Sequence, residues 1–289
     1  MSESITDIFI RNRNDPAKAA EELMKNEFSD DRSQRENFRA VALKEFSPKQ
    51  LSSFISQLSV ELSKKMMKGS IGREKLIAQA SNALDETVKI SNTMLMRLSE
   101  WFSLHYPELR ISNEEMSEKI VQYGKRDNWP GFKSSLGVDL TEEDENILKS
   151  FAESASKANE LKNSLESYIK TSMREITPNF SSLLEPMLGA RMLAAAGSLE
   201  KLARMSASNI QIIGAEKALF RHLKKKGKAP KYGMIYMSTV VQSVPEDKRG
   251  KVARAYAAKL MMAARIDFFS GRDETDKLKR ELKEDLEKV

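Results

Sequence analysis

The sequence predicts a mainly α-helical protein with a small N-terminal module, a long antiparallel coiled-coil hairpin and a C-terminal all-α domain. Charged residues make up 31% of the 289 residues and apolar residues 40%, a balance typical of long, solvent-exposed helices. Glycine and proline are few, at 12 and 8 residues. Two long stretches also repeat apolar or small residues at steps of three and four, as coiled-coil helices do.

Changes in composition divide the chain into four segments. We expect a reduced N-terminal module over residues 1–69 and a dimerising hairpin with its tip over residues 70–178. A C-terminal domain should occupy residues 179–272, and a charged tail residues 273–289.

The N-terminal module has few large apolar residues, so its core should be small. Asp15 and Pro16 predict a helix that runs to about Asn26, since aspartate caps helices and proline suits the first helical position. Residues 38–46 could form a short strand or an extended linker. A second helix is predicted over residues 48–68.

Two long helices are predicted to fold back on each other as a hairpin. The first covers residues 71–104 and ends at a Tyr-Pro pair, because the residue before proline avoids the helical region. The second covers residues 141–176 and begins at Thr141, which is followed three residues later by a carboxylate, as in a capping box. A short helix over residues 111–124 and an irregular tip over residues 125–140 lie between them.

The apolar positions of each hairpin helix form a seam that should face the other helix. The first seam consists of Ile77, Ala80, Leu84, Thr87, Ser91, Leu95, Leu98 and Phe102. The second consists of Ile147, Phe151, Ala155, Ala158, Leu161, Leu165, Tyr168 and Met173. A lone helix pair buries little apolar surface, so we expect a homodimer. Its contacts should involve Leu84, Leu95, Leu98, Phe151, Leu161 and Leu165.

Beyond Pro178 the predicted helices are short and have Gly, Ser or Ala at their ends. Their approximate bounds are 182–196, 198–204, 206–212, 214–225 and 245–264. Residues 231–244 could be strand-like or looped. The charged terminal helix over residues 273–289 is expected to fray.

Positive charge is concentrated in one segment. Residues 185–272 hold 17 Lys and Arg against 6 Asp and Glu, a net charge of +11. Residues 1–184 carry −3 and the segment 273–289 carries −2. This distribution is typical of a domain that binds a polyanion, most often nucleic acid, although a solubilising surface is the alternative.

The cations fall on two predicted helices and the loop between them. Lys217, Arg221 and Lys224 share one helix face because they are four and three residues apart. Lys251 and Arg254 lie near the start of another helix, where free N–H groups attract phosphates. Few aromatic residues interleave these clusters, which favours a structured RNA over a single strand. The run from Lys224 to Lys228 could equally be a solvated face.

The sequence lacks the motifs of catalysis. It contains no cysteine, which excludes disulfides, thiolate catalysis and Cys-zinc sites. His105 and His222 stand in no metal-ligand spacing, and His105 is expected to be structural. Gly189, Gly197 and Gly214 do not form a phosphate-binding loop motif. We therefore expect no enzymatic activity, no cofactor and no metal.

The chain is expected to be soluble and cytoplasmic, without a membrane partner. No apolar run approaches the ~18 residues of a membrane span. The first residues, MSESITDIF, lack the basic start and apolar centre of a signal peptide.

Three runs in the C-terminal segment carry a family resemblance. They read GARMLAAAGSLEKLARMSASNIQIIGAEKALFRHLK, PKYGMIYMS and KRGKVARAYAAKLMMAARIDFFSGR, beginning at Gly189. Together they resemble the Nop domain of the archaeal Nop-type core protein of box C/D RNA–protein particles. The run GAEKALFR at residues 214–221 is a long and unusual signature. The hairpin stretch WFSLHYPEL at residues 101–109 resembles the same family.

The resemblance implies a non-catalytic scaffold that guides RNA 2′-O-methylation. In this family the Nop domain binds a kink-turn of the box C/D guide RNA together with a kink-turn-binding, ribosomal-type protein. The coiled coil self-dimerises, and an N-terminal α/β domain docks fibrillarin, the S-adenosylmethionine-dependent methyltransferase. The contact positions carried over to this sequence are Gln211, Glu216, Lys217, Arg221, Lys231, Arg249, Lys251 and Arg254. Lys224, which extends the helix face of Lys217 and Arg221, completes the predicted set.

The sequence departs from the family pattern at several places. Ser206, Asn209 and His222 stand where the family usually has proline, threonine and alanine. The segment before the coiled coil, residues 1–69, is shorter than the family's N-terminal domain, and residues 41–68 resemble only the final part of that domain. The alternative function is therefore a fibrillarin-independent Nop-domain assembly factor that binds RNA.

Overall fold

The structure, a computed structural model, describes residues 5–25, 42, 44, 46–70, 72–225 and 227–288. These residues form helices and connecting turns, with no strand among them, which confirms the predicted class. The chain divides into two compact units, Met1–Gly72 and Arg73–Val289. Among the described residues, no helix combines the length and hydrophobicity needed to cross a membrane.

In the first unit the structure gives the bounds of helices α1 (Ile5–Arg11), α2 (Pro16–Lys25) and α3 (Pro48–Ser70). Helix α2 begins as predicted, because Oδ1 of Asp15 accepts a hydrogen bond of 3.0 Å from the backbone N–H of Lys18.

The described part of this unit's core is built around aromatic rings. The ring of Phe9 packs edge-on against those of Phe46 and Phe54, with centroid distances of 5.5 and 4.7 Å. Ala42 and Lys44 are helical, and the N–H of Phe46 donates to the carbonyl of Ala42 at 3.1 Å. The strand alternative for residues 38–46 is therefore wrong at these positions. The remainder of that stretch lies outside the described residues.

The second unit begins with the predicted hairpin, formed by α4 (Arg73–Phe102) and α6 (Glu142–Ile176). The two helices run antiparallel, since Arg73 at the start of α4 donates to Glu175 at the end of α6 at 2.8 Å. A shorter helix, α5 (Asn113–Tyr123), packs against both.

The predicted capping box at the start of α6 is present. Oγ1 of Thr141 accepts from the N–H of Asp144 at 3.2 Å, and Oδ2 of Asp144 accepts from the N–H of Thr141 at 3.0 Å. The tip follows α5 through a 3₁₀ turn over Arg126–Asn128.

His105 is buried in the tip and has the predicted structural role. Its Nε2 accepts a hydrogen bond of 3.0 Å from the backbone N–H of Arg126, so Nδ1 carries the proton and donates to the carbonyl of Val138 at 2.7 Å. The Arg126 guanidinium donates to the carbonyl of Gly137 at 2.7 Å and pairs with Asp139. The imidazole therefore joins two loops of the tip.

The seam of α4 is confirmed and that of α6 is partly wrong. All the predicted positions of α4 are buried except Ala80, which is half-buried. In α6 the buried residues are Leu148, Ala152, Ala155, Ile169, Ser172 and Met173, whereas Ile147, Leu161 and Tyr168 are exposed. The helix is rotated so that a neighbouring apolar stripe faces α4.

This rotation changes which residues remain available for self-association. Leu84, Leu95 and Leu98 are buried by the chain itself, so a second copy cannot reach them. Phe151 and Leu165 are half-buried against the same interior. Of the six proposed dimer residues, Leu161 is exposed. The other exposed apolar side chains of the two hairpin helices include Leu76, Ile90, Met96, Trp101, Ile147 and Tyr168.

The remaining helices are mostly short, as predicted. They are α7 (Pro178–Leu183), α8 (Pro186–Ala196), α9 (Leu199–Arg204), α10 (Ala207–Ile212), α11 (Glu216–Leu223), α12 (Thr239–Gln242), α13 (Glu246–Arg265) and α14 (Thr275–Glu287). The predicted helix over residues 182–196 is interrupted before Pro186, because a proline restricts the residue that precedes it. Residues 231–238 are looped, with a 3₁₀ turn over Met234–Met237, and the one-turn helix α12 follows, so the stretch 231–244 contains no strand.

The core of these helices continues into the base of the hairpin. Buried residues of α13, such as Tyr256 and Leu260, belong to one apolar cluster with Ile77 of α4 and Met173 of α6. Arg191 of α8 also forms an ion pair with Asp85 of α4. Its Nε donates to Oδ1 of Asp85 at 3.0 Å, and its Nη2 donates to the same oxygen. The boundary at residue 178 is therefore a change in helix length rather than a break in the core.

The terminal helix α14 packs against α13 instead of fraying, contrary to expectation. Its Leu278 and Leu282 are buried in the core. Lys259 of α13 places Nζ 2.9 Å from Oε2 of Glu281 and 3.2 Å from Oδ2 of Asp285. Leu278 and Leu282 therefore point inward, and Glu281 and Asp285 face Lys259 of α13.

Candidate nucleic-acid interface

A cleft of about 570 Å³ opens between α10, the loop at residues 229–231 and the start of α13. Its lining residues are Ser208, Gln211, Ile212, Leu219, Ala229, Pro230, Lys231, Asp247, Gly250, Lys251 and Arg254. Four of the nine predicted contact residues line this cleft, namely Gln211, Lys231, Lys251 and Arg254.

Hydrogen bonds hold two walls of the cleft together. Nε2 of Gln211 donates to the carbonyl of Lys231 at 2.7 Å, and the N–H of Gly233 donates to the carbonyl of Gln211 at 2.8 Å. A Cβ at Gly233 would lie 2.0 Å from the carbonyl oxygen of Ile213, so glycine permits this close approach. Gln211 therefore positions the Lys231 loop.

The cleft is positively charged. The side chains of Lys231, Lys251 and Arg254 are exposed, and none of them forms an ion pair with a described carboxylate. Asp247, which was not predicted, is the carboxylate in the lining. Three cations against one anion give the cleft a net charge suited to phosphate oxygens.

Helix α11 forms an exposed edge beside the cleft, because its Leu219 is one of the lining residues. The side chains of Lys217 and Arg221 are exposed, one helical turn apart on α11. Phe220 and Leu223 are also exposed, and the helix has no buried residue. The helix thus offers cations and large apolar side chains on one surface.

Arg249 has internal partners. Its Nε donates to the carbonyl of Val244 at 3.1 Å, and its guanidinium lies 5.6 Å from the ring centroid of Tyr236. The ring of Tyr236 stacks on that of Tyr232 at 4.8 Å. This residue therefore braces the loop before α13, and the Lys251 and Arg254 side chains are more accessible to a ligand.

The basic loop after α11 is held by a histidine. Nδ1 of His222 lies 3.0 Å from the carbonyl oxygen of Gly227. Lys225 adopts a φ of +56°, a left-handed conformation that residues other than glycine seldom take. Lys224, Lys225 and Lys228 are exposed, whereas Lys226 lies outside the described residues.

Comparison with known proteins identifies relatives of this arrangement. Residues 83–289 match the family model described as Nop, snoRNA binding domain, fibrillarin. A NOP5 family protein of Methanocaldococcus jannaschii is 38% identical over 232 residues, which cover 73% of this chain and 56% of that protein. Nucleolar protein 58 of Sclerotinia sclerotiorum is 37% identical over 77% of this chain and 43% of its own length. Nucleolar protein 56 of Mus musculus is 36% identical over 68% of this chain and 38% of its own length.

A solved structure supports the same relationship. A chain of the crystal structure of a fibrillarin/Nop5p complex aligns with a TM-score of 0.50 and 26% sequence identity, over 94% of this chain and 91% of that one. The present chain spans about half the length of the curated relatives, or 38–56%. Because the family model matches well over half of the residues and carries the cationic cleft within it, the chain belongs to the Nop family.

Proposed function

We propose that this chain is a non-catalytic scaffold of a box C/D RNA–protein particle. In this role it holds a guide RNA with its kink-turn-binding protein and connects them to the fibrillarin methyltransferase for RNA 2′-O-methylation. The observation that carries the proposal is the cationic cleft beside the exposed helix α11. Phosphates favour the cations of the cleft, whereas a protein surface favours Phe220 and Leu223.

The proposed contact set follows from this division of the surface. Lys231, Lys251 and Arg254 would meet phosphates in the cleft, while Lys217, Arg221 and Lys224 would meet the RNA along α11. Gln211, Glu216 and Arg249 would act by holding the loops and the helix in place, because each has an internal hydrogen bond. Phosphate contacts of this kind orient a folded RNA without reading its sequence.

A scaffold role fits the chemistry of the cleft. The cleft presents lysine and arginine side chains, which bind phosphates electrostatically and require no chemical step. In the proposed particle, methyl transfer belongs to fibrillarin.

Fibrillarin docking has support from the structural comparison. The alignment covers 94% of this chain, more than the unit Arg73–Val289 could supply by itself, so the likeness extends into Met1–Gly72. That first unit is the proposed docking site, and the hairpin is the proposed site of homodimerisation. The fungal and mouse relatives are named nucleolar proteins, whereas for this chain we propose the cytoplasm.

A second candidate function is a fibrillarin-independent assembly factor that binds RNA. It is favoured by the described part of the first unit, which consists of helices around three phenylalanines instead of the α/β domain that the family resemblance implies.

Two experiments test the proposal. A gel shift with a box C/D RNA, with and without the kink-turn-binding protein, should show tight binding when that protein is present. Equal binding without it would contradict a composite surface, and no binding in either case would overturn the RNA role. A pull-down with fibrillarin separates the two candidates, because no binding at micromolar concentration would favour the assembly factor.

A further inference from the structure

The cleft between α10, the loop at residues 229–231 and the start of α13 has apolar walls as well as cations. Its apolar lining residues are Ile212, Leu219, Ala229 and Pro230. Ala229 is exposed and the other three are half-buried, so their carbon atoms form part of the open surface. A phosphate group binds to the cations and gains nothing from carbon atoms. Phosphate binding therefore leaves half of the cleft unused.

The volume of the cleft limits what can enter it. A volume of about 570 Å³ lies within the range of roughly 300–1,000 Å³ that is typical of sites for small molecules. A paired RNA helix is far larger and can only rest on the rim. A single nucleotide that has left its helix has the right size, and it combines an apolar base with a charged phosphate.

A glycine keeps the α13 side of the cleft open. Gly250 lies within α13, although glycine is less favourable than alanine inside a helix. A Cβ at this position would meet no heavy atom of the described residues within 4 Å, so packing does not require the glycine. Gly250 lines the cleft together with Asp247, Lys251 and Arg254. The missing side chain therefore leaves space for a ligand against the helix.

The cleft holds one carboxylate in strongly positive surroundings. Residues 206–255 contain 11 Lys and Arg against 3 Asp and Glu, a net charge of +8. Asp247 is exposed and forms no ion pair with a described cation, although Lys251 lies one helical turn away. A carboxylate repels phosphates, so Asp247 opposes phosphate binding. Its position in the lining is explained if it binds a different part of the ligand.

A carboxylate that faces a base selects guanine. Its oxygens only accept hydrogen bonds, so it binds groups that donate. The Watson–Crick edge of guanine presents two neighbouring donors, N1–H and the N2 amino group. Adenine and cytosine present one donor beside an acceptor, and uracil presents one donor between two carbonyl groups. Two carboxylate oxygens can therefore pair fully with guanine and are repelled by an acceptor of each other base.

We propose that the cleft binds a single unpaired guanosine extruded from a folded RNA. The base lies between the apolar walls with its Watson–Crick edge towards Asp247, and the adjoining phosphates meet Lys231, Lys251 and Arg254. This inference rests on the proposed function, because both place RNA at the cleft. It adds one base-specific contact to phosphate contacts that do not read sequence.

The test uses the full chain and three labelled RNA hairpins that share one stem. The stem is fully paired in the first hairpin, carries one bulged guanosine in the second and one bulged uridine in the third. Fluorescence anisotropy at one fixed salt concentration should show that the guanosine bulge binds at least about fivefold more tightly than either of the others. Equal affinity for the three hairpins, or no binding of any, would overturn the proposal.

Two neighbouring carboxylates provide a matched pair of variants. Asp247→Ala should abolish the preference for guanosine, because no acceptor remains, while affinity for the fully paired hairpin should be unchanged or higher. Glu246→Ala removes the same charge from the same turn of α13, but Glu246 is not among the lining residues, so the preference should persist. An equal loss of preference in both variants would refute a direct contact by Asp247 and indicate a general effect of charge.

A third variant tests the space in the cleft instead of its charge. Gly250→Leu fills the side of the cleft next to Asp247 and should also abolish the preference for the guanosine bulge. Circular dichroism should show unchanged helical content, since the new side chain enters open space. A folded Gly250→Leu chain with the wild-type preference would place the guanosine outside the cleft and overturn the proposal.

Failure of this proposal is distinguishable from failure of the proposed function, which is tested with the kink-turn complex. If that complex binds and the three hairpins do not differ, the guanosine site is refuted and the scaffold role stands. If the complex does not bind but a guanosine preference depends on Asp247, the guanosine site stands and the scaffold role fails.

Discussion

The backbone N–H of Gly214 donates a hydrogen bond of 2.7 Å to Oε1 of Glu216, so this carboxylate folds back onto the turn that begins α11. Gly214 has a φ of +84°, and a Cβ there would lie 2.6 Å from Cγ of Met234. Because α11 has no buried residue, this turn is a main determinant of where the helix lies. Glu216 thus positions the cations that follow it.

This relationship predicts opposite outcomes for two substitutions. Glu216→Ala should weaken binding of the kink-turn complex, because the turn loses its hydrogen-bond acceptor. This loss should outweigh the removal of a negative charge from a surface that is proposed to meet phosphates. Glu216→Gln retains an acceptor and removes the charge, so affinity should be equal to or higher than that of the wild type. Gel shifts at two salt concentrations would measure both variants. An alanine variant that binds more tightly than the wild type would contradict the positioning role.

The cations of α11 should set part of the salt dependence of RNA binding. Lys217→Ala combined with Arg221→Ala is expected to weaken binding to the kink-turn complex and to reduce the slope of log affinity against log salt by about two. A control variant, Lys157→Ala with Lys170→Ala, removes two exposed cations from the hairpin and should leave the slope unchanged. An unaltered slope in the first variant would refute the site assignment.

The hairpin should make the chain a homodimer in analytical ultracentrifugation at micromolar concentration. Leu161 is 52% exposed on α6, so Leu161→Glu should shift the population towards monomer without disturbing the core. Leu136→Glu at the hairpin tip is the control and should leave the dimer intact. A monodisperse wild-type monomer would refute self-association through the hairpin.

The terminal helix should contribute measurably to folding stability. Leu278 is 0% exposed, so Leu278→Ala is expected to lower the free energy of unfolding of the second unit by about 2–4 kcal/mol. Leu136→Ala should change it by less than about 0.5 kcal/mol. Urea denaturation followed by circular dichroism compares the two. An equal change in the free energy of unfolding for the two variants would mean that the terminal helix frays.

The same helix should loosen in acid. Hydrogen bonds to Lys259 hold the pKa values of Glu281 and Asp285 below their ordinary 4.5 and 3.8. Burial disfavours the charge on Lys259, but its bonds to the two carboxylates outweigh this and raise its pKa. A carboxylate whose pKa is lowered by folding stabilises the folded state at any pH above its ordinary pKa. This stabilisation is lost as the pH falls through the lowered pKa of the folded state.

Protection of α14 from limited proteolysis should therefore fall as the pH drops below 4.5. Lys259→Met removes the partner and should flatten this dependence between neutral pH and acid. A variant that loses protection over the same pH range, and to the same extent, would show that other carboxylates are responsible.

Local signals in the sequence were sufficient to locate most helix ends. Thr141 and Gly124 act on their immediate neighbours, so their effect can be predicted from a few residues. The inward face of α6 could not be predicted in this way. Ile147 and Leu148 are adjacent and apolar, and the burial of Leu148 depends on how α4 and α5 pack around the helix. The packing of α14 could not be predicted locally either, because its leucines stand among many charged residues and their burial depends on contact with α13.

The candidate site was partly predictable for a similar reason. Basic residues at helical spacing led to Lys217, Arg221, Lys251 and Arg254. Apolar residues such as Phe220 resemble core positions in sequence. Their exposure depends on whether another helix packs against that side of α11, which the local sequence does not show. Asp247 was missed because a carboxylate near a helix start has a local explanation.

One apolar cluster joins α13 to Ile77 of α4 and Met173 of α6, and it holds the base of the hairpin against the C-terminal helices. At 1.5 Å per residue α6 is about 52 Å long, so a small rotation at that base moves the tip by a large distance. Conversely, a partner that binds the hairpin fixes the direction in which the cleft faces. In a dimer, the separation and relative orientation of two bound RNA elements would then be set by this rigid arm.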